Sequence, residues 1–209
     1  MKTTNYQEDY FESIRNSLSA SCFRIDKVDV KDDFFFESLI NLVETNQKKG
    51  GRLFFFGNGA SAAFSNHMAL DWSKNGGILS LSLSDSALLT ALSNDYSYNE
   101  AFVEFLKINT GNSNDIVVTV SSSGNSANIV NVLDYCGEKD IATFGLSGLK
   151  DQNETVKKAR YSLYVPRKTY GIVECIHQIY LHLWLDRYMG IEDWNRDTYQ
   201  NMDASNYNV

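Results

Sequence analysis

Short apolar runs alternate with amphipathic stretches along most of this chain. After residue 51, five apolar runs predict buried strands, and the stretches between them predict helices. We expect strands at about 52–56, 78–83, 115–120, 141–146 and 161–165, and helices at about 60–74, 86–108, 126–137, 152–159 and 170–189. This alternation predicts one α/β domain in which a five-stranded parallel sheet has helices on both faces, a three-layer sandwich of the flavodoxin-like or Rossmann-like kind.

The chain before this alternating pattern is helical in character. Two helical stretches, at about 4–20 and 33–49, precede the first strand, and the second ends in two lysines and two glycines, a common helix stop. We therefore divide the chain into a helical arm (1–50), a ligand-binding domain (51–190) and a polar tail (191–209).

Apolar side chains are frequent in the second helix of the arm. They suggest a helix that packs against a partner subunit, and the alternative is an arm folded onto its own domain. The apolar positions are Phe34, Phe35, Phe36, Leu39, Ile40 and Leu42.

Composition and charge exclude several classes of protein. The chain has 209 residues, 43% of them hydrophobic and 22% charged, which is ordinary for one soluble domain. A formal net charge of −7 and the lack of a basic stripe argue against a nucleic-acid surface. No apolar run approaches the roughly 20 residues that a membrane helix needs, and the first residues do not resemble a signal peptide. With three widely spaced cysteines, these features predict a cytoplasmic protein that binds neither nucleic acid nor membrane.

A glycine-rich loop follows the first predicted strand. It reads Gly57-Asn58-Gly59-Ala60-Ser61-Ala62, which matches the dinucleotide-binding pattern GxGxxA. Asp85 ends the next strand, where a ribose-binding acid belongs. From this loop alone, a dinucleotide site and a plain tight turn are about equally good interpretations.

A serine-rich loop follows the third predicted strand. Ser121, Ser122, Ser123 and Ser126 cluster at a predicted helix N-terminus, where free backbone N–H groups and the helix dipole favour an anion. The P-loop pattern GxxxxGK[ST] of nucleotide triphosphate sites is absent. Helix capping is the alternative, but it needs one hydroxyl rather than four. We therefore predict that this loop binds the phosphate of a small metabolite.

The two loops resemble, in register, those of phosphoheptose isomerases, which are SIS (sugar isomerase) domain proteins. Residues 57–63 are similar to the family's GNGGSAA signature, residues 85–96 to its second substrate loop and residues 121–126 to its phosphate loop. The similarity extends from about Gly51 to Tyr188. It implies that the four serines bind phosphate. The residues that it places near the sugar are Asn58, Ser61, Asn94 and Asp95.

The same resemblance implies an activity and an assembly. The activity is the conversion of D-sedoheptulose 7-phosphate to D-glycero-D-manno-heptose 7-phosphate through an enediolate, for the heptose of surface polysaccharide such as lipopolysaccharide. The assembly is a homotetramer with its active sites between subunits.

The histidines stand beside acids on predicted helices. His67 and Asp71 are four residues apart and share a helix face, and Glu174 and His182 are eight apart on the last helix. Two imidazoles and two carboxylates can form a zinc site, although a lone His/Asp pair is more often a hydrogen-bonded or surface pair. His177 lies on the other side of Glu174.

The resemblance favours the zinc interpretation. The family's ligands are His-x-x-x-Glu and a Gln and a His eight apart, so Asp71 and Glu174 here replace a Glu and a Gln. It implies one Zn²⁺ per site, held by His67, Asp71, Glu174 and His182, with Asp71 and His182 as the acid and base. His177 matches a family histidine that is not a ligand, and we expect it to support the site or the fold.

Departures from the family pattern keep other functions open. Residues 171–175 read Gly-Ile-Val-Glu-Cys instead of Asp-Arg-Ile-Gln-Glu, and Asn75 stands in place of an arginine, so an isomerase for a different sugar phosphate is one alternative. A non-catalytic SIS protein that binds a replication initiator is another, and the three histidines argue against it. A sugar-phosphate-sensing transcription regulator needs a basic helix-turn-helix, whereas the first 50 residues are acidic. A dinucleotide oxidoreductase is the last alternative.

Overall fold

The computed structural model describes residues 5–109 and 111–191, which form eight helices and seven strands. The helices are α1 (Tyr6–Ala20), α2 (Asp32–Gln47), α3 (Ala60–Lys74), α4 (Ser86–Asp95), α5 (Ala101–Ile108), α6 (Ala127–Glu138), α7 (Glu154–Lys158) and α8 (Tyr170–Tyr188). The strands are β1 (Cys22–Ile25), β2 (Val28–Val30), β3 (Leu53–Gly57), β4 (Ser80–Ser82), β5 (Ile116–Ser121), β6 (Ala142–Gly148) and β7 (Tyr161–Val165). No helix of these described ranges is long and apolar enough to cross a membrane.

All seven strands belong to one sheet, in the order β2-β1-β7-β6-β5-β3-β4. The five strands predicted from the sequence pair in parallel, which confirms the α/β fold class. Their residues are almost all buried, because helices cover both faces of the sheet. The apolar residues form one large cluster on each face. Apart from Ile191, the polar tail lies outside the described residues.

The sheet has two more strands than the sequence pattern predicted. β1 and β2 form an antiparallel hairpin, and β1 extends the sheet by pairing with β7. The turn between them uses Asp26 and Lys27 at φ 49° and 70°. Tight hairpin turns of this kind usually carry Asn or Gly, so the sequence gives no turn signal here. Only Phe23 of the hairpin is buried. The hairpin lies at the edge of the sheet, which leaves its other side chains partly in water.

The long helix predicted at 86–108 is two helices. α4 ends at Asp95 and α5 begins at Ala101, and Ser97 between them has a φ of 149°. Four of the five intervening residues are Tyr, Ser or Asn, which are weak helix formers, whereas apolar positions on both sides continue a helical pattern.

The helical arm folds onto its own domain. Phe35, Phe36 and Leu39 of α2 are at most 1% exposed and belong to the same core as Phe144 of β6 and Tyr180 of α8. The rings of Phe35 and Phe144 are 5.6 Å apart. The core of its own domain therefore covers part of this apolar pattern, whereas Phe34 is 58% exposed, and a contact of the arm with a partner subunit stays a prediction.

Candidate functional site

The glycine and serine loops lie side by side at one end of the sheet. β3 and β5 are neighbours, and Gly57 at the end of β3 is paired with Val120 near the end of β5. β4 and β5 lie on opposite sides of β3, so the order in which successive strands are added across the sheet reverses at β3. In open α/β sheets, this reversal opens a crevice at the carboxyl ends of the strands, where ligands bind.

The glycine loop turns sharply from β3 into α3. A Cβ at Gly57 would lie 2.5 Å from the backbone of Ser61, so only glycine permits this close approach. Gly59, with a φ of 57°, precedes the first residue of α3. Ser61 is 4% exposed, and Asn58 is half-buried at the crevice. Asp85, the acid that a dinucleotide site would use, caps α4 by accepting a hydrogen bond of 2.7 Å from the Leu88 backbone N–H.

Asn58 is held by two residues that the sequence did not indicate. Its amide exchanges two hydrogen bonds of 2.9 Å with the amide of the buried Asn128 on α6. The Tyr98 hydroxyl also donates to Asn58 Oδ1, at 2.7 Å. The oxygen of Asn58 thus accepts two hydrogen bonds, and its Nδ2 keeps one N–H for a ligand. The separations of 40 and 70 residues along the chain explain why no local pattern revealed this network.

Asn94 and Asp95 lie at the end of α4 and are exposed. Asn94 Nδ2 donates to Asp95 Oδ1 at 3.0 Å. Tyr98, three residues further along, links this segment to the glycine loop through Asn58. The role of Asn94 and Asp95 toward a sugar stays a prediction.

Hydrogen bonds from residues of β6 and α7 anchor the serine loop. The Gly124 carbonyl accepts hydrogen bonds from the Thr155 N–H and hydroxyl, at 3.0 and 3.1 Å. The Ser122 carbonyl accepts one from the Gly148 N–H at 3.0 Å. Gly124 has a φ of 65°, and a Cβ there would lie 2.1 Å from the Asn153 side chain. These contacts hold the loop carbonyls against β6 and α7.

The four serines differ in what their hydroxyls contact. Ser121 and Ser122 are 6% and 5% exposed, and the Ser122 hydroxyl has no hydrogen-bond partner among the described residues. Ser123 Oγ accepts from the Asn125 N–H at a long 3.3 Å. Ser126 is the N-cap residue of α6, but its side chain makes no capping hydrogen bond. The hydroxyls of Ser122 and Ser126 thus make no hydrogen bond to the described residues, and that of Ser122 is buried. Phosphate binding by the four serines stays a prediction.

The metal-ligand candidates meet where α3 packs on α8. The Trp72 and Trp184 rings, 4.4 Å apart, join the two helices. Ligand atoms of His67, Asp71 and His182 all lie within 4.8 Å of one another. His67 Nε2 is 3.2 Å from Asp71 Oδ2, and the rings of the two histidines are 5.1 Å apart. Two imidazoles and one carboxylate are a donor set that fits Zn²⁺, so the residues present suit the predicted metal.

Glu174 is not part of this group. Its carboxylate lies outside the set of atoms within 4.8 Å, although it shares a stripe of α8 with His182. Two other residues of α8 interact with His182. The Gln178 amide is 2.7 Å from His182 Nε2, and Asp186 faces His182 and Asp71. Burial raises the pKa of the Asp186 carboxyl, His182 opposes the rise and Asp71 adds to it. Gln178 and Asp186 are each four residues from His182, and this spacing in the sequence could have indicated both residues.

His177 has a structural role, in line with the expectation from the sequence. It is fully buried, and its Nε2 lies 3.1 Å from the Ser147 carbonyl at the end of β6. Burial lowers the pKa of His177 to about 4, and the hydrogen bond to Ser147 only partly opposes this.

This shift predicts acid-dependent stability. An unfolded histidine has a pKa of about 6.5, so between that pH and about 4 the unfolded chain binds a proton that the folded chain does not. The free energy of unfolding should therefore fall as the pH is lowered through this range. In urea titrations at several pH values, His177→Phe should show a smaller slope with pH than the unaltered protein. An unchanged slope would contradict the prediction, whatever the absolute stability of the variant.

Comparisons with known proteins, by family and by sequence, agree on one family. The SIS domain matches residues 10–148, more than half of the 209 residues. The phosphoheptose isomerase of Aneurinibacillus thermoaerophilus is 32% identical over 160 residues, which cover 70% of this chain and 80% of that protein. That of Thermodesulfovibrio yellowstonii is 29% identical over 153 residues, 68% of this chain and 75% of that protein.

A solved structure agrees with these sequence relatives. The phosphoheptose isomerase of Neisseria gonorrhoeae superimposes with a TM-score of 0.72 at 25% identity, over 87% of this chain and 96% of that one. The matched SIS domain includes the glycine loop, the serine loop and α3, which contribute all but the α8 side of the candidate site. By sequence and by fold, the chain belongs to the SIS-domain family, among relatives that are phosphoheptose isomerases.

Proposed function

We propose that this protein is a phosphosugar isomerase, which interconverts a phosphorylated ketose and aldose. The observation that carries the proposal is the path of α3. This helix follows the glycine loop, which lies beside the serine loop that we propose to bind phosphate, and it bears His67 and Asp71. His67 is seven residues from the first residue of α3, or about 10 Å along the axis. One end of an extended sugar phosphate can thus lie at the serine loop while its other end reaches the acid and base.

The reaction moves a proton between neighbouring carbons of the sugar. A base takes the proton next to the carbonyl, the negative charge of the enediolate oxygen is stabilised, and the proton returns to the adjacent carbon. Asp71 and His182 are the acid and base of the proposal, because both are half-buried and their ligand atoms lie within 4.8 Å. His67, Asp71 and His182 would hold one Zn²⁺, whose chemistry is to polarise the carbonyl. Glu174 as a fourth ligand stays a prediction.

The substrate proposed is D-sedoheptulose 7-phosphate, converted to D-glycero-D-manno-heptose 7-phosphate for surface polysaccharide synthesis. Phosphoheptose isomerases of about 30% identity support it. Incubating the purified protein with sedoheptulose 7-phosphate and following the heptose product tests it directly. Turnover of another ketose phosphate, and not of sedoheptulose 7-phosphate, would support the proposed isomerase activity and change the proposed substrate. A protein without bound metal and without isomerase activity would favour the replication-initiator-binding alternative.

Homotetramer formation is part of the proposal, and it predicts a sedimentation mass of four chains. Large apolar side chains are exposed on α1 and α3. Tyr6 and Phe11 of α1 are 73% and 66% exposed, and Leu70 of α3, next to Asp71, is 57% exposed. A surface of this kind is typical of subunit contacts. A single-chain mass would contradict the prediction. A location in the cytoplasm likewise stays a prediction.

Substitution of the outer serines should weaken phosphate binding. Ser123→Ala combined with Ser126→Ala removes two hydroxyls at the start of α6 whose bonds to the protein are long or absent. Each hydrogen bond to a charged group contributes about 1.5–3 kcal/mol, so the dissociation constant of the sugar phosphate should rise at least tenfold. Calorimetric titration measures it. The melting temperature should change little, because neither hydroxyl caps the helix, and unchanged binding would place the phosphate elsewhere.

A further inference from the structure

Tyr98 has an exposed ring but a bound hydroxyl. It lies in the segment between α4 and α5 and is 48% exposed, so its ring adds little to the core. The hydroxyl nevertheless donates a hydrogen bond of 2.7 Å to Asn58 Oδ1, which is 40 residues away along the chain. A phenylalanine would cover the same apolar surface, so the contact with Asn58 is what a tyrosine adds at this position.

The backbone beside Tyr98 is anchored and strained. The Asn131 amide on α6 donates to the Asn99 carbonyl at 3.2 Å and to Glu100 Oε1 at 2.6 Å. Ser97 has a φ of 149°, a value that residues with a Cβ rarely adopt. Strain of this kind persists only where the surrounding contacts fix the backbone, and it is concentrated at functional sites. The anchored segment thus holds the Tyr98 ring beside the glycine loop.

Tyr98 closes a ring of contacts that joins the glycine loop, the serine loop and the segment between α4 and α5. Asn128 and Asn131 are three residues apart on one face of α6, the helix that follows the serine loop. Asn128 exchanges two hydrogen bonds of 2.9 Å with Asn58 of the glycine loop. Asn131 binds the segment that carries Tyr98, and the Tyr98 hydroxyl returns to Asn58. Helix α6 is therefore the common support of all three segments.

This ring of contacts fixes the direction of one free donor. Asn58 Oδ1 accepts from both Tyr98 and Asn128, and one of its two Nδ2 hydrogens is donated to Asn128. The other Nδ2 hydrogen has no acceptor among the described residues, and Asn58 is half-buried at the crevice. An amide that is held from two sides loses little rotamer freedom when it binds a ligand, which favours tight binding.

We propose that Tyr98 is a positioning residue for the sugar. Its hydroxyl fixes the Asn58 amide, whose free N–H donates to a hydroxyl group of the substrate. This inference rests on the proposed function, since it concerns the same crevice. The contact is remote from the proposed acid and base, because His67 and Asp71 lie about two and three turns along α3. It therefore strengthens the binding of substrate and transition state alike, and it acts on affinity rather than on the chemical step.

Tyr98→Phe tests the proposal, with Tyr161→Phe as the matched control. Tyr98→Phe should raise the Kd of sedoheptulose 7-phosphate about threefold to tenfold, which is the contribution of one hydrogen bond. KM should rise by a similar factor, with kcat within about twofold of the unaltered protein, whereas a disturbed active site would lower kcat. The affinity for inorganic phosphate, measured by phosphorus NMR, should not change, because this ion has no sugar to contact Asn58.

The control removes a similar hydrogen bond elsewhere in the fold. The Tyr161 hydroxyl pairs with that of Ser38 at 2.9 Å, at the amino end of β7 and thus at the opposite end of the sheet from the crevice. Tyr161→Phe should leave the affinities, KM and kcat unchanged. The melting temperature of Tyr98→Phe should lie within about 2 °C of that of the unaltered protein, because its ring is exposed.

A double-mutant cycle shows whether Tyr98 acts through Asn58. In the Asn58→Ala background, Tyr98→Phe should change the Kd of sedoheptulose 7-phosphate by less than about twofold, because the amide that it positions is gone. Unchanged affinity in Tyr98→Phe, or an equal loss with and without Asn58, would overturn the inference alone. A loss of affinity for inorganic phosphate of the same size would also overturn it. An unaltered protein that does not bind sedoheptulose 7-phosphate would overturn the proposed substrate together with it.

Discussion

Replacing Asp71 by asparagine is expected to lower the kcat of sugar phosphate isomerisation by about 100-fold or more, which is the usual contribution of a general acid or base. An amide oxygen can still contact a metal, but it cannot take up a proton. The Asp71 carboxylate is 17% exposed and 3.2 Å from His67 Nε2, so it lies inside the group that we propose to be catalytic. His182→Gln should have a similar effect, because it removes a metal ligand and the second acid or base together.

The matched control is Asp134→Asn, the same acid-to-amide change on α6. Asp134 is 51% exposed and pairs with Lys158 at 2.6 Å, outside the candidate site. Its kcat should equal that of the unaltered protein. Zinc content is measured on the same samples, because a loss of activity with zinc retained assigns the effect to proton transfer. Full turnover by Asp71→Asn would contradict the mechanism.

Asp115→Ala is expected to lower the free energy of unfolding by about 3–5 kcal/mol, the cost of removing one partner of a buried ion pair. The Asp115 side chain is 0% exposed and precedes β5, and Arg52 precedes β3. The carboxylate accepts hydrogen bonds from the Arg52 backbone N–H and Nη2, both at 2.9 Å, and from the Asn112 N–H, also at 2.9 Å. The alanine variant removes the buried carboxylate that accepts these hydrogen bonds.

Urea unfolding measures this loss, and Asp29→Ala provides the control. Asp29 pairs with Arg24 at 2.7 Å, but it is 78% exposed, so water already solvates both charges. Removing it should cost about 1 kcal/mol or less. Equal losses in the two variants would show that the buried position of Asp115 contributes nothing beyond the ion pair itself.

Local patterns were sufficient for the five parallel strands and for the position of each loop. Strands β3 and β5 are apolar on both faces because helices cover both sides of a parallel sheet, so they were visible in the sequence. The glycine and serine loops were visible for a similar reason, since the residues that shape them are consecutive. The His67–Asp71 pair followed from helix periodicity, which places residues four apart on one face.

Other features of the fold depended on contacts that the local pattern does not encode. The apolar face of α2 has the same appearance whether it covers its own sheet or a second subunit, and only the contact between Phe35 and Phe144 shows that Phe35 covers its own sheet. The β1–β2 hairpin forms because the edge of β7 is available to β1, although residues 22–30 carry no turn signal.

The composition of the site shows the same division between sequence and tertiary structure. The sequence by itself determined which candidate residue types are present: serines as candidates for phosphate binding, and histidines and an aspartate as candidates for metal binding. Tertiary structure decided which of them meet. Asn58 contacts Asn128 and Tyr98 because the ends of β3 and β5 are adjacent in the sheet. Gln178 and Glu174 occupy the same stripe of α8. The packing of α8 on α3 fixes how far one helix is shifted along the other. It therefore brings the turn of Gln178, rather than that of Glu174, next to the ligand group.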